Sequence, residues 1–252
     1  MVIFSCAKVP ITGRKQFTAV PTSQLISLSK ESYQQVIQNN ELSDNNVYIN
    51  TVKNVGTKIS GAVEQYMKEQ GMEDRLEGYQ WEYHVLESDE KNAWCMPGGK
   101  IAFYEGIMPI CKDDNGVAVV MAHEIAHAVA NHGNERMSQQ LLVQLGGMAL
   151  SVALEEQKET TQQLALAAFG LGTSVGVLLP YSRTHEQEAD ELGLYFMAMA
   201  GFDPRGAPEF WARMQQQGGA SVPEFLSTHP NPENRIKYLR KVMPKALKFY
   251  NK

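Results

Sequence analysis

The stretch Val117–Gly133, VAVVMAHEIAHAVANHG, decides the fold of this chain. It predicts one helix, and it places His123, Glu124 and His127 in a His-Glu-x-x-His pattern. Residues four apart on a helix leave the same face, so both imidazoles can bind one zinc ion. Glu124 would lie beside the metal, where it can accept a proton from the attacking water and return it to a leaving amine. The alternative is a buried helix with two incidental histidines.

Composition sets the broad class of the protein. The chain has 252 residues, of which 43% are hydrophobic, and a net charge of -5. This composition is typical of a globular protein, and the lack of any basic block argues against a nucleic-acid partner. The three cysteines, Cys6, Cys95 and Cys111, are too few for a disulfide scaffold or a thiolate zinc site. Cys95 and Cys111 can still pair in an oxidising compartment.

Periodicity and turn residues predict an α+β protein that is mostly helical. Residues 1–21 are expected to be extended, because Pro10, Gly13 and Pro21 interrupt regular structure, and a single domain follows over residues 22–252. The uncharged segment Leu164–Tyr181 contains glycines and a proline, which favours a buried or site-covering helix over a membrane span. The predicted helices cover residues 22–38, 47–70, 135–154, 184–200, 206–216 and 233–242, and the predicted strands 81–86, 92–96 and 100–104.

A catalytic zinc site needs a third protein ligand besides the two histidines. One solution places a third histidine six residues after the second, but Gly133 occupies that position here. His132 lies about 140° around the helix from His127, which excludes it as the ligand. We interpret His132 as a cation at the helix C-terminus, where the helix dipole favours positive charge.

Glu186 and Asp190, in the segment THEQEAD, offer the other solution. They are four residues apart on a predicted helix and share a face. One carboxylate can therefore bind zinc while the other accepts a hydrogen bond from a ligating histidine. Glu188 points roughly to the opposite face, and Ala189 and Gly193 would let this helix approach the zinc helix closely. The alternative is a solvated acidic face at the start of a helix.

Four segments of the chain resemble a known family. HEIAH, followed after a long helical insert by SRTHEQEAD, is similar to the HtpX-like and CAAX-prenyl-protease-type zinc metallopeptidases. Residues 92–101, NAWCMPGGKI, and 227–235, STHPNPENR, resemble two further segments of that family. The resemblance implies a zincin-type metallopeptidase domain with a small β-sheet whose edge strand precedes the HExxH helix. It also implies one zinc ion per chain, with Glu186 as a ligand and Asp190 behind the ligands.

Two further groups of residues are candidates for the site. His229 lies in the proline-containing loop THPNP, where it can donate to the oxyanion, bind zinc in a resting form, or serve only the loop. The segment from residue 98 to 103 is predicted to be the sheet edge that receives substrate as an added strand. Main-chain pairing accepts any extended peptide, which predicts extended or unfolded polypeptide substrates. The substrate-binding candidates are Gly98, Gly99, Lys100, Ile101, Ala102 and Phe103.

The resemblance and the N-terminus together predict a function and a location. We expect a zinc-dependent endopeptidase that acts on unfolded or misfolded envelope proteins; the alternative is a zinc-dependent chaperone or binding module with weak or latent peptidase activity. The opening CAKVPITGRKQF, residues 6–17, resembles the first mature residues of the family's periplasmic lipoprotein branch. Because the small residue Ser5 precedes Cys6, acylated Cys6 can attach the chain to a membrane in the periplasm of a Gram-negative bacterium. The alternative is an ordinary N-terminus with an incidental cysteine.

Overall fold

The computed structural model describes residues 5–174, 178–217, 224–229 and 232–250. It confirms an α+β architecture that is mostly helical and contains a small three-stranded sheet. The strands are β1 (Ser5–Lys8), β2 (Lys15–Thr18), β3 (Glu82–Leu86), β4 (Ala93–Met96) and β5 (Lys100–Tyr104). The helices are α1 (Thr22–Asn39), α2 (Asn46–Glu69), α3 (Met108–Cys111), α4 (Asp114–Val129), α5 (His132–Ala153), α6 (Glu159–Thr173), α7 (Leu179–Met199), α8 (Gly206–Gln216), α9 (Glu224–Thr228) and α10 (Pro232–Tyr250).

Helix α4 lies at the centre of the fold. Asp113 caps its N-terminus by accepting a hydrogen bond from the Gly116 amide at 2.9 Å. All of its residues from 116 to 129 are buried, because α2, α7, α8 and β4 pack around it. The helix ends at Val129, and Asn131, with a φ of 55°, turns the chain so that His132 begins α5. The prediction of one helix through Gly133 is therefore wrong at its C-terminal end, since asparagine tolerates the left-handed conformation that breaks a helix.

The three-stranded sheet has the spatial order β3-β5-β4. Strand β5 pairs with β3 in parallel and with β4 in antiparallel orientation, so both of its hydrogen-bonding edges are occupied. The prediction that the strand at residues 98–103 is the sheet edge is therefore wrong. The edge strand beside α4 is β4, which packs directly against that helix.

The N-terminal segment forms regular structure. Strands β1 and β2 pair as an antiparallel hairpin, and Gly13, with a φ of 68°, lies in the turn between them. The expectation that Pro10 and Gly13 prevent regular structure is wrong, because both residues fall in the turn rather than in the strands. The hairpin is docked beside the end of α4, where Gln16 Nε2 donates a hydrogen bond to the Ala130 carbonyl at 2.7 Å.

The hairpin of α5 and α6 projects a largely uncharged surface. The prediction of a buried helix at Leu164–Tyr181 is wrong over α6, where Leu164 is 73% exposed and Leu171 is 68% exposed. Residues 175–177 of that segment lie outside the described residues, and α7 already begins at Leu179. None of the helices among the described residues is long and apolar enough to cross a membrane.

Candidate metal centre

Helices α4 and α7 form the walls of the site. They make the most extensive contact between any two elements of the described chain, and Gly193 allows it. A Cβ atom at position 193 would lie 3.2 Å from the backbone nitrogen of His123 and 3.3 Å from the carbonyl carbon of Ala122. The close approach predicted from Ala189 and Gly193 is confirmed, and Ala189 is fully buried.

Four buried side chains converge between these helices. His123, His127, Glu186 and His229 each offer one ligand atom, and these four atoms lie within 4.8 Å of one another. The Nε2 atoms of His123 and His127 are 3.1 Å apart, and each lies 3.3–3.4 Å from a Glu186 oxygen. Imidazole nitrogens and a carboxylate oxygen form the donor set that zinc prefers. The structure thus brings together the three predicted ligands and adds His229 to them.

The carboxylate of Glu186 provides a test of whether a metal fits this group. Its Oε1 atom is buried and has no hydrogen-bond partner among the described residues. A buried carboxylate oxygen without a partner is costly, whereas a bound cation would satisfy it. Burial opposes ionisation of Glu186, but interactions with the nearby histidines lower its pKa well below the usual value, which favours a carboxylate able to bind a cation. The residues present therefore fit a zinc ion.

Glu124 lies next to this group but does not belong to it. Its side chain is buried, and its Oε1 atom has no hydrogen-bond partner within the described chain. The nearest side-chain nitrogen to that oxygen in a contact of this kind is Nε2 of His229, 3.4 Å away. Burial raises the pKa of Glu124, which favours a carboxyl group able to hold and release a proton. This is the position expected for a general base beside the metal.

Asp190 lies behind His123, on the side away from the other ligands. Its Oδ1 atom is 3.1 Å from His123 Nδ1, so the carboxylate can accept the ring N–H and leave Nε2 free for a metal. Arg235 donates to both Asp190 oxygens, at 2.6 and 2.9 Å, and its guanidinium lies 3.4 Å from the centre of the Trp211 ring. Burial and the Arg235 charge oppose protonation of His123, but Asp190 and Glu186 outweigh them and raise its pKa to about 9.

Arg235 is a site residue to which the sequence assigned no role. It lies at the end of the family-like segment STHPNPENR, and this position is the one feature of the sequence that could have pointed to a role for Arg235 in the site. Two of its nitrogens serve Asp190 and a third lies 3.3 Å from Glu186 Oε2. One arginine thereby contacts both the candidate ligand Glu186 and Asp190, the carboxylate beside His123 Nδ1.

His229 is held inside the metal group. Its Nδ1 atom lies 2.8 Å from Glu186 Oε2 and 3.2 Å from His123 Nε2. The Phe225 ring packs against the imidazole at a centroid distance of 4.7 Å. The interpretation of His229 as a histidine that serves only its loop is therefore wrong, because its ring is buried among the candidate ligands.

The predicted substrate-binding segment does not line the site. Ile101, Ala102 and Phe103 are fully buried in the core, and Lys100 directs its amine to Glu82 and to the Gln80 carbonyl. Gly98 and Gly99 lie in the turn before β5, where their φ angles are positive. The sheet edge beside α4, which was predicted to be formed by residues 98–103, is formed by β4. The α9 helix reaches the start of β4 through a hydrogen bond from the Phe225 amide to the Lys91 carbonyl at 3.2 Å.

The structure overturns the interpretation of His132. The side chain is fully buried, and burial lowers its pKa to about 4, so it is neutral and cannot act as a cation at a helix end. Its Nδ1 atom lies 2.9 Å from Nδ1 of His127, and its Nε2 atom lies 3.1 Å from Glu188 Oε2. Glu188 is likewise buried rather than solvated.

Cys95 and Cys111 are free thiols in the structure and do not form the disulfide that an oxidising compartment would allow.

Comparisons with known proteins agree with this geometry. A sequence model described as Peptidase family M48 matches residues 56–243. The mitochondrial metalloendopeptidase OMA1 of Schizosaccharomyces pombe is 32% identical over 240 residues, which cover 94% of this chain and 66% of that protein. The mitochondrial metalloendopeptidase OMA1 of Homo sapiens is 30% identical over 249 residues, covering 95% of this chain and 46% of the human protein.

A bacterial protein is also similar to this chain. The Beta-barrel assembly-enhancing protease of Escherichia coli (strain K12) is 31% identical over 160 residues, which cover 61% of this chain and 32% of that protein. The chain thus spans between 32% and 66% of the length of these three relatives.

Proposed function

This chain belongs to peptidase family M48, a family of zinc-dependent metallopeptidases, and we propose that it is an endopeptidase that hydrolyses unfolded or misfolded polypeptides. The observation that carries the proposal is the buried group of His123, His127, Glu186 and His229 with Glu124 beside it. We further propose that residues 22–252 form the peptidase domain and that residues 1–21 precede it.

In the proposed mechanism, His123, His127 and Glu186 hold one zinc ion, which polarises the substrate carbonyl when it is bound. Glu124 accepts a proton from the attacking water and delivers it to the leaving amine. Asp190 fixes the orientation of His123 by accepting its Nδ1–H. His229 lies among the ligand atoms, so we propose that it is a fourth ligand in the resting state rather than an oxyanion donor.

The substrate is proposed to bind along β4. This strand ends the three-stranded sheet beside α4, and no strand among the described residues pairs with its outer edge, so that edge can pair with an extended peptide. Main-chain pairing recognises the extended conformation more than the side-chain sequence, which supports unfolded segments as substrates. A folded protein would need local unfolding before it could enter this edge.

The proposed location is the envelope of a Gram-negative bacterium, with membrane attachment through acylated Cys6. The lipoprotein-like opening of residues 6–17 supports this proposal. The named relatives include mitochondrial proteins as well as a bacterial one, so the location needs its own experiment. Expression of the full gene with labelled palmitate should label the wild type in the membrane fraction and not Cys6→Ala. Unlabelled wild type recovered from the cytosol would contradict this location.

The peptidase proposal is tested with the purified chain and an unfolded protein such as casein. Cleavage should be abolished by a zinc chelator and restored by added zinc. Glu124→Gln should lower kcat by about 10²- to 10⁴-fold, the usual contribution of a general acid–base, while it retains zinc. Glu209→Gln, which changes an exposed glutamate on α8, is the matched control and should cleave at the wild-type rate. Zinc binding without chelator-sensitive cleavage would instead support a chaperone or binding module.

A further inference from the structure

A continuous chain of buried polar contacts leaves the metal group from the rear of His127. The Nε2 atom of His127 faces the other ligands, and its Nδ1 atom lies 2.9 Å from Nδ1 of His132. A nitrogen that binds a metal must carry a lone pair, so the proton of neutral His127 is on Nδ1 and is donated to His132. His132 must then carry its own proton on Nε2, which lies 3.1 Å from Glu188 Oε2.

Glu188 is held in turn by the N-terminal hairpin. Arg14 Nε donates to Glu188 Oε2 at 2.9 Å, and the Thr12 hydroxyl donates to the other oxygen. Both residues lie in or beside the turn between β1 and β2. The hairpin therefore supplies the last two contacts in a series of hydrogen bonds that begins at the candidate ligand His127. That residue lies more than 100 positions later in the chain.

The same arginine reaches the site by a second route. Its two terminal nitrogens donate to the Glu135 oxygens at 2.8 and 2.7 Å, and Glu135 Oε2 lies 3.0 Å from His185 Nε2. His185 precedes the ligand Glu186, and its ring stacks on His132 with centroids 4.4 Å apart. Arg14 thus contacts both Glu188, which leads through His132 to His127 on α4, and Glu135, which contacts His185 next to Glu186 on α7.

The burial of this network makes its geometry demanding. His132 and His185 are fully buried, and Glu135 and Glu188 are at most 5% exposed. Arg14 is the guanidinium that pairs with both carboxylates, and loss of one partner of a buried ion pair leaves an uncompensated charge. Without Arg14, Glu188 Oε2 would lose the guanidinium that holds it in place, and its contact with His132 would be altered.

We infer that Arg14 is a positioning residue for the metal site, which acts on His127 through Glu188 and His132. The inference rests on the proposed function, because it treats His127 as a zinc ligand. It assigns the N-terminal hairpin a role in the chemistry: the peptidase site is complete only when the hairpin is docked. Outer contacts of this kind typically change metal affinity or activity by about 10- to 100-fold when they are removed.

The test is the metal affinity of the apoprotein, measured by competition with a chelating dye. Arg14→Met should weaken zinc binding by about 10- to 100-fold and change the absorption bands of the cobalt(II)-substituted protein, which report ligand geometry. Arg75→Met is the matched control, because Arg75 also fastens the hairpin, through the Lys8 carbonyl and Gln16, without touching Glu188 or Glu135. It should lower thermal stability but leave the zinc affinity and cobalt spectrum unchanged.

A substitution at His132 keeps the inference testable if Arg14→Met does not fold. His132→Leu removes both the acceptor for the His127 Nδ1–H and the contact with Glu188, and should weaken zinc binding like Arg14→Met. Wild-type affinity and spectrum in Arg14→Met, or in His132→Leu, would overturn the inference. Because wild-type zinc binding and cleavage are measured in the same series, failure of the proposed function appears separately, as a wild-type chain that binds no zinc or does not cleave.

Discussion

The close contact between α4 and α7 predicts that a single methyl group at Gly193 will damage the metal site. A Cβ atom there would lie 3.2–3.3 Å from backbone atoms of Ala122 and His123, tighter than ordinary van der Waals contact. Backbone cannot rotate away as a side chain can, so α7 must move back by a few tenths of an ångström. Overpacking of this kind typically costs about 1–3 kcal/mol.

The displacement matters because Glu186 lies on the same helix. It precedes Gly193 by seven residues, or about two turns, and so shares its face. Metal–ligand distances are held within about 0.2 Å, so a shift of that size in α7 should lower zinc affinity as well as stability. Replacement of glycine by alanine in a helix otherwise stabilises by about 0.4–1 kcal/mol, which leaves a net loss of about 1.3 kcal/mol for Gly193→Ala at the midpoints of the two ranges.

Gly61→Ala is the matched control for this prediction. Gly61 lies in α2, and a Cβ atom there would meet nothing within 4 Å. The control should raise the free energy of unfolding of the metal-free protein by about 0.4–1 kcal/mol and leave zinc affinity unchanged. Denaturant unfolding and chelator competition on both variants measure the two effects. If Gly193→Ala were as stable as Gly61→Ala and bound zinc like the wild type, the packing argument would be refuted.

Two further predictions concern His229 and Glu135. His229→Ala should raise basal cleavage of casein, because the ring lies among the ligand atoms and would leave the fourth position open; a kcat lowered by about 10²-fold would instead make His229 an oxyanion donor. For Glu135, burial opposes ionisation, but the contacts with Arg14 and His185 outweigh it and lower the pKa to about 2. A folded-state pKa below the usual 4.5 gives stability that is present above pH 4.5 and is lost as the pH falls towards 2. Between pH 4.5 and 2 the wild type should therefore lose up to roughly 3 kcal/mol of unfolding free energy through Glu135, and Glu135→Gln should lack this part of the loss in urea unfolding. An unchanged pH dependence would contradict the lowered pKa.

Local patterns were sufficient to select the candidate metal-binding residues that the structure brings together, and to predict most helices. The four-residue spacing of His123 and His127, and of Glu186 and Asp190, fixes which side chains share a helix face, whatever the rest of the fold does. The small residues Ala189 and Gly193 likewise indicated where two helices could meet. These inferences need only helix geometry, and the structure brings the four side chains together as that geometry requires.

Long-range order could not be predicted in the same way. The residues of β5 indicate an extended segment, but nothing in them says that β3 and β4 flank it on both sides. His132 was misinterpreted because one left-handed residue, Asn131, moves it from the end of α4 to the start of α5. Arg14 contacts Glu135 and Glu188 across more than 100 residues, and no periodicity links such positions.

The zinc content of Glu186→Ala tests the central claim most directly. After gel filtration, the wild type and Glu124→Gln should each carry one zinc ion per chain, because Glu124 is a base and not a ligand. Glu186→Ala should lose most of its zinc, since it removes the only carboxylate among the four protein ligands of the proposed resting site. Full zinc retention in Glu186→Ala, measured by plasma emission spectrometry beside the wild type, would contradict the assigned metal centre.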